Sequence, residues 1–267
     1  MDYTLSEWLN LIVRWVHVFA AILWVGTTYY FTWLDGQLRR AAGDGGARVW
    51  MVHSGGFYTV ERQSGLGVPA GNLHWFRWEA MTTWVSGLAL LVLVYYAGGL
   101  TVDAATGPRT EATAIAAGIA SLAAGWFVYD ALAQSRLAAR DLGFAAVAFT
   151  LILLDMLVLG RMLSARATYM HVGALFGTIM ALNVWVRILP PQRRMVAAAS
   201  RGDALDPALG AGAKHRSRHN TFLAVPTAFI MVSSHFPVAT YGHRHGLWIL
   251  AGLILAGWGA ASMLRRA

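Results

Sequence analysis

Apolar residues gather into seven runs along the chain, with polar residues between them. The runs predict helices at residues 9–33, 78–98, 112–132, 142–160, 168–189, 221–236 and 246–264. A bilayer core takes about 20 apolar residues per helix, so these runs read as membrane spans. The sixth run is short and carries Pro226, and its polar flank from His219 is expected to complete the span. Two connections are long, 34–77 and 190–220, the second rich in Arg, Gly and Ala. No internal repeat is evident. The expected architecture is all-α: a single transmembrane helical domain over residues 1–267, with about seven spans.

Composition sharpens this picture. Hydrophobic residues make up 57% of the chain and charged residues 13%, with a mean hydropathy of +0.50. Soluble domains are about a quarter charged. The 12 Trp suit the headgroup level of a membrane. The absence of cysteine excludes disulfides, iron–sulfur clusters, thiolate-held metals and covalently attached c-type haem. A net charge of +8 would point to nucleic acid in a soluble protein. Here the basic residues lie mostly between apolar runs and read as topology signals. The start, from Met1 to Glu7, is acidic and no small-x-small cleavage site follows promptly, so the first run is expected to stay as a helix.

The basic residues also orient the chain. With the N-terminus outside, the inner segments carry Arg39, Arg40, Arg48, Arg62, Arg77, Arg136 and Arg140. The basic residues from Arg187 to Arg218, with Arg265 and Arg266, bring the inner side to sixteen of the 21 Lys and Arg. Arg14, Arg109, Arg161, Arg166 and Arg244 remain for the outer side. The positive-inside rule then places the N-terminus outside and the C-terminus inside.

Nine histidines are present, and five lie in or at the ends of the runs. Imidazole is a poor lipid-facing group, so such residues are functional candidates. His17 lies about eight residues into the first run, roughly 12 Å deep. With His171 and His235 it forms an expected outer group; His74 and His219 form an inner group. His219 and His235 are 16 residues apart on one expected helix, roughly 24 Å, and cannot serve the same iron. Two stacked b-type haems, each bridging helices through imidazole nitrogens, would use this arrangement. Arg14 is a candidate for holding an outer haem propionate. A proton pathway or a non-haem metal site would draw on the same residues, though no His-x-x-His or Glu-x-x-His pair lies within a run. His215 and His219 have helical i, i+4 spacing, but Lys214, Arg216 and Arg218 disfavour a cation there.

Carboxylates at depth need a partner or a water cavity. Asp155 falls deep in the fourth run, with Arg14 or Arg161 as expected partners, and Asp130 lies near the inner end of the third. Asn183 reads as helix–helix glue. The inner connection contains His53-Ser-Gly-Gly-Phe-Tyr58, whose glycines permit a tight turn. With Asn72, His74, Trp75, Arg77 and Glu79 it collects polar and aromatic groups suited to a planar polar molecule. An interfacial amphipathic segment has the same pattern.

Several longer motifs carry a resemblance. His74-Trp-Phe-Arg-Trp-Glu-Ala80, Val128-Tyr-Asp130, Arg166-Ala-Thr-Tyr-Met-His-Val-Gly-Ala174, Lys214-His-Arg-Ser-Arg-His-Asn220 and Ser233-Ser-His-Phe-Pro237 resemble the membrane domain of the bacterial membrane-bound urate hydroxylase (urate oxidase) family. The likeness runs from Arg14-Trp-Val-His17 to the last run. It implies a protein of the bacterial inner membrane that oxidises urate to 5-hydroxyisourate and passes electrons to a cytochrome c domain outside. This sequence ends after the seventh run without a Cys-x-x-Cys-His motif, so the expected acceptor is a separate c-type cytochrome. Urate, or a related purine, is expected near the inner face around His53, His74 and Glu79, with His53 and Glu79 as candidate catalytic residues. The candidate haem ligands are His17, His74, His171, His219 and His235. The rival expectation is a non-catalytic cytochrome b or structural subunit of a larger respiratory or photosynthetic complex; a transporter is disfavoured by the absence of inverted repeats.

Overall fold

The structure, a computed structural model, describes residues 3–41, 48–62, 73–103 and 110–266. Its helices follow the apolar runs. They are α1 (Tyr3–Ala41), α2 (Trp78–Leu90), α3 (Glu111–Gln134), α4 (Asp141–Met162), α5 (Ala165–Leu182), α6 (Leu189–Arg201), α7 (Pro207–Ser233) and α8 (Gly246–Leu264). α2 continues through a π turn at Leu91–Tyr96, and α5 runs through another at Asn183–Ile188 into α6. Asn72 and Arg109 fall outside the described residues. Among the described residues, six helices are long and apolar enough to cross a membrane. α7 has the length, at 27 residues, but its first half carries Lys214, His215, Arg216, Arg218 and His219.

α5 is the centre of the bundle. In the span that includes it, 67% of the apolar window is buried, against 11% in α1 and in α4. Around the rim Trp15, Phe127, Leu142, Val158 and Trp248 stay exposed. Lipid tails are as apolar as these side chains, so no hydrophobic penalty attaches to that face. Small residues bring helices close: a Cβ on Gly257 of α8 would lie 2.9 Å from Pro226 Cδ on α7. Pro226 lacks an amide hydrogen and its ring fills the notch that Gly257 leaves.

Two differences from the sequence reading concern the connections. Residues 190–220 are not a loop. α6 extends to Arg201 and is capped by Gly202 in the left-handed conformation, φ 76°. α7 then starts at Pro207 behind Asp206, whose carboxylate accepts the Ala208 amide at 2.9 Å. Alanine-rich, arginine-rich sequence favours helix without being apolar, so a hydropathy pattern passes over it. In the other connection α1 continues to Ala41 and is followed by an antiparallel hairpin, β1 (Arg48–His53) and β2 (Gly56–Glu61). Its expected tight turn is present: Ser54 and Gly55 take φ 49° and 76°, the positive pair of a two-residue hairpin turn.

The inner ends of α3, α5 and α7 are tied by one polar network. Arg187, on the π turn after α5, grips Asp130 of α3 with Nε and Nη2. Arg216 of α7 approaches the same carboxylate at 2.8 Å and stacks over Tyr129, 5.2 Å from the ring centroid. Asn183, wholly buried, donates to Tyr129 Oη at 2.8 Å and to Asn220 Oδ1 at 2.9 Å. Nearby, Arg218 pairs with Asp141 at the start of α4. These pairings explain how a charged helix end sits within an apolar bundle. The glue expected at Asn183 is thus one element of a larger knot.

Asp130→Ala leaves two guanidiniums facing each other with no carboxylate. We expect a loss of about 3–5 kcal/mol, the scale for breaking a buried pair. It is read as a lower thermal midpoint in detergent; an unchanged midpoint would show the network to be dispensable.

Candidate functional site

His17 is fixed by α2. Its Nδ1 lies 2.9 Å from the Thr83 carbonyl and 3.2 Å from Ser86 Oγ. A carbonyl only accepts, so Nδ1 carries the proton and Nε2 keeps its lone pair. The ring lies against Gly87, where a Cβ would meet Cε1 at 2.9 Å. This contact also revises the expected depth. Gly87 precedes Tyr96 by nine residues on α2, about 14 Å of rise. His17 therefore sits in the middle of the bundle and not level with His171. α1 is 39 residues long and overshoots the first apolar run at both ends, so depth counted from that run is misplaced.

His171 is wholly enclosed. Its Nδ1 donates to the Ala167 carbonyl at 2.7 Å, which leaves Nε2 as the acceptor of the Tyr96 hydroxyl at 3.0 Å. Tyr95 and Tyr96 both approach this ring, at 6.3 and 5.7 Å between centroids. Adjacent residues on an ordinary helix diverge by about 100°, and the π turn at Leu91–Tyr96 allows both to turn toward His171. A Cβ on Gly118 would lie 2.4 Å from Nε2.

His219 Nδ1 shares a hydrogen bond of 2.8 Å with the Tyr129 hydroxyl, whose oxygen also accepts from Asn183. The imidazole ring stacks on Phe144 of α4 at 4.6 Å and meets His215 edge-on at 4.3 Å. It borders a cavity of about 770 Å³ among α3, α4, α5, α7 and α8. Asp155 borders the same cavity. Its Oδ1 accepts from Ser121 at 2.8 Å and its Oδ2, shielded from water, has no partner among the described residues. The expected pairing of Asp155 with Arg14 or Arg161 gives way to a serine. Arg14 instead binds Asn10 on its own helix, at 2.9 Å.

At the start of α2, His74 Nε2 stands 3.6 Å from Glu79 Oε1, with 68% of the His74 side chain exposed. Arg77 lies over the Trp78 ring at 5.5 Å, and Trp185 of the second π turn meets Trp78 edge-on at 5.7 Å. Three atoms here are shielded from solvent and lack partners among the described residues: Arg77 Nε, Glu79 Oε2 and Trp185 Nε1. A cleft of about 380 Å³ between α1 and α2 is lined by Trp15, Phe19, Leu23, Trp78, Glu79 and Thr82. His53 is exposed on the hairpin, and His235 is exposed beyond the end of α7.

Each of these histidines has its own protein neighbours: His17 packs on α2, His171 on α3 and Tyr96, and His219 on Tyr129. Among the described residues, no group of three or more His, Cys, Asp or Glu is placed to hold a metal ion. Haem asks less, since the porphyrin supplies four of the iron's ligands. His17 has the chemistry of a haem ligand, with Nδ1 anchored to a carbonyl, a lone pair on Nε2 and a glycine flank. The Nε2 of His171 already accepts from Tyr96. Glu79 and Arg77 were visible in the sequence, and Tyr129 only within its motif; Trp185 and Tyr96 were not. The signal for those two is the pair of π turns, which hydropathy does not encode.

Gly118→Ala should force His171 away from Tyr96 and cost about 1–3 kcal/mol by overpacking. A thermal midpoint equal to that of the unchanged chain would contradict so close a contact.

Comparison with curated proteins and with solved structures returns no match. The family model described as Urate oxidase N-terminal matches residues 3–265, nearly the full length of the sequence. The Trp- and His-rich segments that build both ends of the bundle all lie within that match, and the chain belongs to the urate oxidase N-terminal family.

Proposed function

We propose that this chain is the membrane part of an oxidoreductase that oxidises urate or a related purine and passes the electrons to a c-type cytochrome, in a bacterial inner membrane. The observation that carries the reading is the set of unpartnered atoms around Trp78, in a chain of the urate oxidase N-terminal family. Buried polar atoms without partners are uncommon and call for a ligand or water. Two donors, Arg77 Nε–H and Trp185 Nε1–H, and one acceptor, Glu79 Oε2, complement a flat molecule bearing both carbonyl and N–H edges. The indole of Trp78 offers a face for stacking. His74, beside Glu79 and open to water, gives a released proton a way out.

Oxidation of urate to 5-hydroxyisourate adds the oxygen of one water and releases two electrons and two protons. In this reading Glu79 takes a purine proton and Arg77 favours the anionic form of the ring. His53 stays exposed on the hairpin, so the proposal rests on Glu79. Haem b, held through His17, would supply one-electron transfer between substrate and cytochrome. His17 lies between the Trp78 end and the His171 end, as a relay requires.

Glu79→Gln keeps the shape and removes the base. Urate-dependent reduction of added cytochrome c should fall about 10²–10⁴-fold in kcat with little change in KM. Trp185→Phe removes a donor and should raise KM about tenfold, the scale of a hydrogen bond lost at a buried site. Unaltered kinetics in both variants would remove the purine site from this end. For the cofactor, the pyridine haemochrome spectrum of His17→Ala is expected to lose b-type haem per chain. An undiminished haem-to-protein ratio would overturn the assignment of His17.

A further inference from the structure

The cavity between α3, α4, α7 and α8 is left unused by this reading, and its chemistry is specific. Most of its wall is apolar, and it opens sideways. Val128, Leu142, Leu154 and Val158 line it and are also 47%, 86%, 54% and 58% exposed on the lipid-facing surface. A ligand would enter from the hydrocarbon of the bilayer and not from water. At the inner end the wall becomes polar, with His219, Tyr129, Arg218, Asp141 and Arg266. Asp155 lies further along, eleven residues from Phe144 on α4, about 16 Å of rise.

We infer that this cavity binds an isoprenoid quinone, with the ring at the His219 end and the tail leaving between α3 and α4. The Tyr129–His219 pair decides the head group. One hydrogen bridges Tyr129 Oη and His219 Nδ1, and whichever group supplies it, the neutral pair keeps one more, on Nε2 or on the phenol, for a neutral carbonyl oxygen beside an imidazole stacked against Phe144. A phospholipid headgroup suits the site less, because Arg218 already holds Asp141 and that carboxylate would face a phosphate. An acyl chain alone has no use for a buried imidazole or for Asp155. Bound there, the quinone accepts two electrons and two protons and leaves as quinol. Coupled to the proposed purine reaction, urate, water and quinone yield 5-hydroxyisourate and quinol, the quinone taking the two electrons in place of the c-type cytochrome. That coupling rests on the purine reading; the binding site does not.

The test uses the full chain purified in detergent, with decylubiquinone as the probe and tryptophan quenching as the readout, since Trp258 lies in the cavity wall. Ala148→Phe fills the cavity without touching the polar end, and His219→Leu removes the imidazole. Each should weaken decylubiquinone binding at least tenfold, about 1.4 kcal/mol. Leu255→Phe, on the exposed face of α8, should leave it unchanged. Solvent extraction of the unchanged chain should yield quinone, reduced in Ala148→Phe. Equal affinity in Ala148→Phe, competition by phosphatidylglycerol or decanol as strong as by decylubiquinone, or b-type haem lost on filling the cavity would each overturn the assignment. A chain that binds decylubiquinone but leaves urate untouched ends the purine reading and keeps this site. Urate oxidation without quinone binding does the reverse.

Discussion

Asp130 carries its charge at the end of a membrane helix, where water cannot solvate it, and two arginines from different helices close on it. In a low-dielectric interior a lone charge is untenable, and a paired one is held only with good geometry and further hydrogen bonds. Arg187, Arg216 and Gln134 satisfy that demand at the carboxylate, and Tyr129, Asn183 and Asn220 surround the arginines. Together they fix how α3, α5 and α7 meet. They also position His219, since the phenol that stacks under Arg216 is the phenol hydrogen-bonded to His219. A structural constraint at one end of the bundle thereby shapes the polar end of the neighbouring cavity.

The two π turns do related work. Each adds a residue to one turn of a long helix and brings side chains to a face that regular spacing would deny them. One aims Tyr95 and Tyr96 at His171; the other brings Asn183, Trp185 and Arg187 into use at the far end. The chain thus builds a different environment around each buried histidine. His17 keeps a lone pair on Nε2, His171 spends its own on a tyrosine, and His219 is paired with a phenol at a cavity wall.

Much of the fold was legible because a bilayer demands long apolar helices, and a pattern of that length is hard to mistake. The ends of α3, α4 and α8, and of α2 taken with its π turn to Tyr96, lie within two residues of where hydropathy places them. Legibility failed where helix is not apolar. The first half of α7 and most of α6 read as loop, although alanine and arginine are good helix formers. At the site, histidine identity was visible and histidine pairing was not. Depth along a helix follows from counting only when the helix begins where the apolar run begins, and α1 starts six residues earlier, at Tyr3. Asp130 announced its need for a partner, but neither arginine was distinguishable from its neighbours, because each also serves the positive-inside pattern. His17 is bonded to a carbonyl and His219 to a phenol, and no spacing rule reports that difference.

α1 has one further property. At 39 residues it is about 58 Å long, nearly twice the hydrocarbon thickness of about 30 Å, and it runs unbroken. The surplus emerges as a stalk at the inner side, where Asp35 is tied to Arg39, Arg62 and Lys214. The hairpin packs on that stalk through Met51 and Tyr30. The same rod carries His17 in mid-membrane. Whatever grips the hairpin in the water phase therefore holds one end of a lever whose other arm ends at an imidazole, and a tilt at the surface is delivered to it without a joint to absorb the movement.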